Sequence, residues 1–132
     1  MKRTILLLED EPLILMDLEF AAQDAGCEVA LASSVKQALA HVSQMELNLT
    51  AAVLDVSLGE GESCFPVAEE LERLGVPYIL HSGDLDRNDE RIRKLGADII
   101  GKPAASDAVI EAALARAAQA KSGAEQIAAD ER

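Results

Sequence analysis

Five short apolar runs, each followed by a segment of helical character, constrain the fold of this chain more than any other feature. The third run is the clearest, because four aliphatic residues at 51–54 lead directly to a single carboxylate, Asp55. Runs of this length and composition are typical of strands that are buried on both faces. Strands and helices that alternate five times predict a parallel sheet with helices on both faces and right-handed connections. The predicted strands are 4–8, 27–31, 51–55, 77–81 and 97–101.

Proline, glycine and capping residues mark the ends of the five predicted helices. Pro12 suits the first turn of the first helix, and Gly26 ends that helix. Ser34 and Gln37 have the spacing of a capping box at the start of the second helix. Gly123 is expected to close the last helix. The predicted helices are 12–25, 35–44, 66–74, 87–95 and 107–121.

Length and charge favour one compact domain that binds cations or basic partners. The 132 residues suffice for one domain, and 49% hydrophobic residues allow a sizeable core. The net charge of −12 disfavours binding to nucleic acid or to an anionic membrane surface. The start of the chain does not resemble a signal peptide and no apolar stretch could span a membrane, so a cytoplasmic protein is expected. Cys27 and Cys64 lack metal-type spacing and are expected to be free thiols.

Polar residues follow four of the five predicted strands. Glu9 and Asp10 come after the first strand, Asp55 ends the third, Ser82 follows the fourth and Lys102 follows the fifth. The carboxyl ends of parallel strands lie at one edge of a sheet, where open α/β folds bind ligands. In a doubly wound sheet the first and third strands are neighbours, so we expect these five side chains to share one crevice.

The residue types at this edge suit phosphoryl chemistry. Asp10 and Asp55, with a backbone carbonyl such as that of Ser57, would form an oxygen-rich site for Mg²⁺. Aspartate can act as a nucleophile toward phosphorus, which predicts a phosphoryl group on Asp55. The metal, Lys102 and the Ser82 hydroxyl would offset the negative charge of that group.

Four motifs resemble the receiver domains of two-component response regulators over about residues 3–121. They are the acidic cluster LLLEDEP, the aspartate of LDVSL, the hydroxyl of HSG and the lysine of GKP, in the order and spacing of the family. The resemblance implies a flavodoxin-like fold of strand order 2-1-3-4-5 and phosphoryl transfer from a histidine kinase or histidine phosphotransfer protein to Asp55. It also implies Mg²⁺ held by Asp10 and Asp55, with Glu9 as the outer acid. The stretch from LDVSL to GVPY is similar to stand-alone receivers of alphaproteobacterial stress and light signalling.

Three features depart from the family pattern. Ile99 stands three residues before Lys102, where many members have an aromatic residue that moves inward on activation. The segment GEGESCFP replaces the usual short loop with proline that follows the aspartate. About ten residues follow the last predicted helix, too few for an output domain.

The sequence therefore predicts a single-domain response regulator that signals through a protein contact. The domain is expected over 1–122, with a disordered tail at 123–132, and as a monomer or weak homodimer. No enzymatic activity is expected beyond its own phosphoryl transfer and autodephosphorylation. One alternative is a phosphate sink or phosphorelay intermediate without output. A binding module that no longer takes phosphate, and a Mg²⁺-dependent phosphohydrolase, fit less well; the second usually has an aspartate where Ser57 stands.

Several polar residues near the motifs receive no functional role from the sequence. Glu11 suits the negative charge that a helix start favours. His41 is expected at the surface of the second helix. His81 should point to the opposite sheet face from Ser82, because side chains alternate along a strand. Cys64 has no neighbour in the sequence that would clearly lower the pKa of its thiol.

Overall fold

Five parallel strands form one sheet in the order 2-1-3-4-5, as predicted. This computed structural model describes residues 3–45, 48–83, 90–95 and 97–130. The strands are β1 (Thr4–Leu8), β2 (Glu28–Ala32), β3 (Ala51–Asp55), β4 (Tyr78–Ser82) and β5 (Asp98–Gly101). The predicted fold class is confirmed.

One helix follows each strand. Within the described part of the chain the helices are α1 (Pro12–Asp24), α2 (Val35–Met45), α3 (Phe65–Leu74), α4 (Glu90–Leu95) and α5 (Ser106–Asp130). Helices α1 and α5 lie on one face of the sheet, and α2, α3 and α4 lie on the other. A short 3₁₀ turn, Gly59–Gly61, lies between β3 and α3.

The sheet separates two hydrophobic layers built from aliphatic side chains. All five residues of β1 are buried, and so are all five of β3, which makes these two strands the centre of the molecule. Leu6 and Leu54 face the layer under α2 and α3, to which Ile92 of α4 also belongs. Ile5 and Val53 face the layer under α1 and α5. The core thus forms almost without aromatic residues, as the composition requires.

Three strands, β2, β4 and β5, begin one residue later than the sequence predicts. The N–H of Cys27 donates to the carbonyl of Ala22 at 3.0 Å, so Cys27 still belongs to the end of α1 and β2 starts at the next residue. Pro77 has no N–H for the ladder, and β4 begins at Tyr78. At its other end β4 includes Ser82, which lies opposite Gly101 of β5.

The capping box of α2 forms with one change of partner. The N–H of Gln37 donates to Oγ of Ser34 at 3.2 Å, as the spacing predicts. Oε1 of Gln37 accepts from the N–H of Ser33 at 2.8 Å, one residue before the expected partner. The N–H of Gln37 in the first turn is thus satisfied, and the second hydrogen bond joins Ser33 to the helix.

Helix α5 does not end where the sequence predicts. Its bounds are Ser106–Asp130, so the helix continues through Gly123. One interior glycine costs about 1 kcal/mol relative to alanine, and the alanine-rich sequence on both sides favours the helix. The predicted end at Gly123 is therefore wrong, whereas a functional division into a domain over 1–122 and a tail stays a prediction.

The anchors of α4 are as predicted. Ile92 is buried and Leu95 packs, half-buried, against the same layer. The predicted cap of this helix, Asp86, lies outside the described residues.

Candidate phosphoryl and metal site at the carboxyl edge of the sheet

Two acids and a lysine meet at the carboxyl edge of the sheet. Leu8 of β1 lies opposite Leu54 of β3, so the next residues, Glu9 and Asp55, are neighbours. Lys102 follows β5, and its Nζ lies 3.0 Å from Oε2 of Glu9 and 3.2 Å from Oδ1 of Asp55. One ammonium group thus bridges two carboxylates that come from different strands.

Glu9 lies on the buried side of this pocket, and its role as the outer acid of a metal site stays a prediction. Its N–H donates to the carbonyl of Ala32 at 3.0 Å, so the backbone continues the line of β1. The residue is only 1% exposed. Its Oε1 also accepts from the N–H of Glu11 at 3.3 Å. The contact with Lys102 offsets the buried charge and accounts for the inward position.

Asp10 completes a cluster of three carboxylates. One carboxylate oxygen from each of Glu9, Asp10 and Asp55 lies within 4.8 Å of the others. Oδ2 of Asp10 also accepts a hydrogen bond from the N–H of Gly59 at 3.0 Å. Carboxylate oxygens are the ligands that Mg²⁺ prefers in proteins, so the donor set fits this ion. The structure brings together three of the predicted metal-site residues.

Burial and crowding make Asp55 hold its proton more strongly than an isolated carboxyl group. Burial raises the pKa of Asp55 to about 8, the charge of Glu9 adds to the increase, and Lys102 opposes it. Burial lowers the pKa of Lys102, but its contacts with Glu9 and Asp55 outweigh that effect and the pKa is raised. The lysine is therefore charged, whereas Asp55 gives up its proton only well above the usual range of a carboxyl group.

The backbone ties the predicted hydroxyl residue to the lysine. Ser82 is fully buried, and its carbonyl accepts from the N–H of Lys102 at 2.7 Å. Its Oγ donates to the carbonyl of Gly83 at 2.9 Å. A movement of the β4 end would therefore be transmitted to Lys102 through one strong backbone hydrogen bond.

Ser57 lies two residues beyond Asp55 in an exposed position. It forms an isolated antiparallel bridge with Ser63, which narrows the loop between β3 and α3. This bridge keeps Ser57 close to the end of β3. The use of its backbone carbonyl as a metal ligand stays a prediction.

His81 is the polar residue near the site whose environment the sequence does not reveal. It pairs with Asp55 across β3 and β4, so the two side chains start from the same sheet face, opposite to that of Ser82. The residue is 3% exposed, and neither ring nitrogen has a hydrogen-bond partner in the described structure. Burial, and then the charge of Lys102, lower the pKa of His81 to about 4. The position of a histidine inside a predicted buried strand is the one sequence signal that could have indicated a buried imidazole without partners.

The other histidine and the cysteines have structural surroundings. His41 is half-buried rather than on the surface, and its Nε2 lies 2.8 Å from the carbonyl oxygen of Leu31. That contact joins α2 to β2. Cys27 and Cys64 are both buried, and neither forms a disulfide, as predicted.

Solved structures of known proteins resemble this chain. The solution structure of SdrG from Sphingomonas melonis Fr1 is 35% identical in sequence, covers 89% of this chain and 97% of SdrG, and superposes with a TM-score of 0.72. A response regulator receiver protein from Sinorhizobium medicae WSM419 is 24% identical, with 90% and 97% covered and a TM-score of 0.77. The chemotaxis response regulator CheY4 of Vibrio cholerae is 18% identical, with 89% and 99% covered and a TM-score of 0.72. No protein-family profile matches the sequence, and no curated protein is similar to it in sequence.

The sheet order, together with an acid–lysine pocket at its carboxyl edge, defines a CheY-like receiver domain. The chain belongs to the response regulator receiver family. Across the described parts of the chain, no helix combines the length and apolar character needed to cross a membrane.

Proposed function

We propose that this chain is a single-domain response regulator that accepts a phosphoryl group on Asp55 in a Mg²⁺-dependent reaction. The donor is a histidine kinase or a histidine phosphotransfer protein. The observation that carries the proposal is the bridge that Lys102 makes between Glu9 and Asp55 at the edge of the sheet. The role of the chain is that of a switch, and its only reactions are its own phosphoryl transfer and autodephosphorylation.

The proposed reaction joins a carboxylate oxygen of Asp55 to the phosphorus of a phosphohistidine. The O–P bond forms as the N–P bond breaks, and the released imidazole nitrogen takes a proton from solvent. Lys102, already 3.2 Å from Asp55, offsets charge on the phosphoryl oxygens. The Ser82 hydroxyl leaves the Gly83 carbonyl and donates to one of those oxygens.

Asp10, Asp55 and the backbone carbonyl of Ser57 would hold the Mg²⁺, with Glu9 supporting them. When bound, the ion would supply positive charge to the phosphoryl oxygens. The proximity of the three carboxylates supports this assignment. Because Glu9 already accepts from Lys102, its contribution is to hold the lysine and to add negative charge near the ion.

The output is a protein contact made by the surface of α4, β5 and α5. The net charge of −12 opposes direct binding to DNA. The N–H of Lys102 is bonded to Ser82, so displacement of the β4 end reaches β5 and the start of α5. Ile99 packs against the layer under α3 and cannot supply an aromatic hydroxyl or its hydrogen bond. A smaller population shift on phosphorylation follows than in members with that aromatic residue.

Labelling with a small phosphodonor tests the acceptor. Incubation with acetyl phosphate and Mg²⁺ should add one acid-stable, base-labile phosphate to the wild-type protein, and Asp55→Asn should abolish it. Asp24→Asn, at an exposed position near the end of α1, is the matched control and should label normally. Undiminished labelling of the Asp55 variant would refute the proposal.

A phosphate sink or phosphorelay intermediate is the second candidate. One observation favours it: among the described residues, no atom would lie within 4 Å of a Cβ added to Gly83, which favours access of water beside Ser82. Rapid loss of the phosphoryl group, or its return to a histidine phosphotransfer protein, would support this role. A stable phosphoprotein that gains affinity for another protein would support the switch.

A further inference from the structure

A backbone amide from the loop after β3 holds the metal-site carboxylate Asp10. The N–H of Gly59 donates to Oδ2 of Asp10 at 3.0 Å, across 49 positions of the sequence. This is the one hydrogen bond that the side chain of Asp10 makes within the described residues. We infer that the Gly59 N–H is a positioning group that orients Asp10 for cation binding, an inference that rests on the proposed function.

The loop fixes this donor in place from both sides. Leu58 is buried, and its N–H donates to the carbonyl of Glu62 at 2.9 Å. The N–H of Cys64 donates to the carbonyl of Val56 at 3.1 Å. These two hydrogen bonds close the segment that contains the 3₁₀ turn, and the N–H of the first residue of that turn points to Asp10. The Gly59 N–H therefore belongs to a loop whose shape is fixed by its own backbone hydrogen bonds.

The turn reaches this shape through an unfavourable backbone conformation. Glu60 has φ 63° and ψ 29°, in the left-handed region that non-glycine residues rarely adopt. Such a residue costs of order 1 kcal/mol or more and persists only where the surrounding structure holds it. The hydrogen bond to Asp10 is one of the contacts that hold this turn, because it joins Gly59, the first residue of the turn, to the metal-site carboxylate.

The hydrogen bond acts on the freedom of the Asp10 carboxylate. Gly59 donates to one oxygen of the Asp10 carboxylate, and a carboxylate oxygen of Asp10 lies within 4.8 Å of oxygens of Glu9 and Asp55, where a cation could be shared. A carboxylate that is partly exposed would otherwise rotate among several orientations, and binding would have to fix it. Loss of groups that orient metal ligands typically weakens metal binding by about 10–100-fold. We expect an effect near the lower end, about 10-fold.

Gly59→Pro removes the donor, and its ring takes the place of the amide hydrogen, so the Asp10 carboxylate must also turn away from this loop. Proline suits the first position of a helical turn, and Leu58 before it already has extended backbone, φ −99° and ψ 160°. Gly59→Ala is the matched control, because it keeps the N–H and its Cβ would meet Oδ2 of Asp10 at 3.4 Å, an ordinary contact. Titration calorimetry with Mg²⁺ should give a Kd about 10-fold weaker for the proline variant than for the alanine variant.

The proline substitution should act only through Asp10. In an Asp10→Ala background, which has no side-chain oxygen at this position, Gly59→Pro should therefore leave the remaining Mg²⁺ affinity unchanged, whereas a general disturbance of the loop would lower it further. Equal Kd values for the proline and alanine variants would overturn the inference and leave the proposed function standing. A wild-type protein that does not bind Mg²⁺ would overturn both.

A second measurement does not require the proline variant to fold. Amide hydrogen exchange of Gly59, followed by NMR in the metal-free protein, should be slow in the wild type. Asp10→Asn weakens the acceptor and should speed that exchange about 10-fold, whereas the exposed amide of Gly83 should not change. Equal exchange of the Gly59 amide in the two proteins would overturn the inference.

Discussion

Replacement of His81 by leucine should stabilise the protein, and by more at lower pH. The imidazole is buried without a hydrogen-bond partner for either nitrogen among the described residues. A buried polar group left unsatisfied costs about 1–3 kcal/mol, and leucine has a similar volume. At pH 7.5 we therefore expect a gain of about 1 kcal/mol in the free energy of unfolding for His81→Leu.

The pH dependence follows from the lowered pKa. The pKa of His81 is about 4 in the folded protein and near its usual 6.5 in the unfolded chain. Between these values the unfolded chain binds more protons, so the wild type loses stability as the pH falls from about 6.5 toward 4. Between pH 7 and pH 5 the loss amounts to about 2 kcal/mol. The leucine variant lacks this loss.

Asp55 contributes with the opposite sign over part of this range. Its pKa is raised to about 8, so the folded state takes up the proton first and gains stability as the pH falls from 8 toward 4. The pH profile of the wild type alone mixes the two effects. The difference in the free energy of unfolding between wild type and His81→Leu at each pH removes the contribution of Asp55, which both proteins share.

Urea unfolding at pH 7.5, 6.5, 5.5 and 5.0 measures this difference. The gain from His81→Leu should grow from about 1 to about 3 kcal/mol over that series, with an unchanged dependence on urea. His41→Leu is the control: Nε2 of His41 lies 2.8 Å from the carbonyl of Leu31, so its loss should destabilise the protein by about 1 kcal/mol. A gain from His81→Leu that does not vary with pH would refute the reasoning.

Three further predictions concern the pocket. At a hundredfold excess over its Kd, Mg²⁺ should add about 2.7 kcal/mol to the free energy of unfolding and so raise the melting temperature. In a thermal melt, Asp10→Asn should remove most of that rise. Glu9→Gln should lower the pKa of Asp55 from about 8, because the charge of Glu9 helps to raise it; carboxyl ¹³C NMR would detect this, and an unchanged pKa would contradict it. Gly83→Val should slow loss of the phosphoryl group by covering its open side; an unchanged lifetime of the phosphoprotein would show that water enters elsewhere.

Hydrogen exchange locates the proposed output surface. With a phosphoryl mimic, changes should concentrate in residues 82–101 and the start of α5. The hydrogen bond from Lys102 to Ser82 is the reason for that expectation. Changes confined to residues 57–66 would place the output surface at the β3–α3 loop instead.

Most of the fold could be predicted because its signals are local. The central strands β1 and β3 are buried on both faces, and each appears in the sequence as an uninterrupted aliphatic run that ends at an acid. Parallel strands bring their carboxyl ends to one edge of the sheet regardless of loop conformation. For this reason the sequence places Glu9, Asp55 and Lys102 in one pocket, where the structure has them in contact.

The remaining features depend on contacts between distant parts of the chain. The hydrogen bond from Gly59 to Asp10 requires a left-handed residue, Glu60, that no local propensity favours. The isolation of His81 depends on what two neighbouring strands and their helices leave around its ring. Helix α5 continues beyond Gly123 because the alanines on both sides of this glycine favour the helix by more than one glycine disfavours it.

The length of α5 gives the molecule a mechanical lever. Twenty-five helical residues extend about 37 Å, whereas a five-residue strand spans about 17 Å. Gln119 and Ala120 border the same cavity as Gly75 and Tyr78, so by this point the helix has reached the amino edge of the sheet. Ten further helical residues, about 15 Å of helix, follow Ala120. If α5 tilted by about 10° about its end near the pocket, its other end would move by about 6 Å. That displacement would exceed the movement of the pocket residues that produced the tilt.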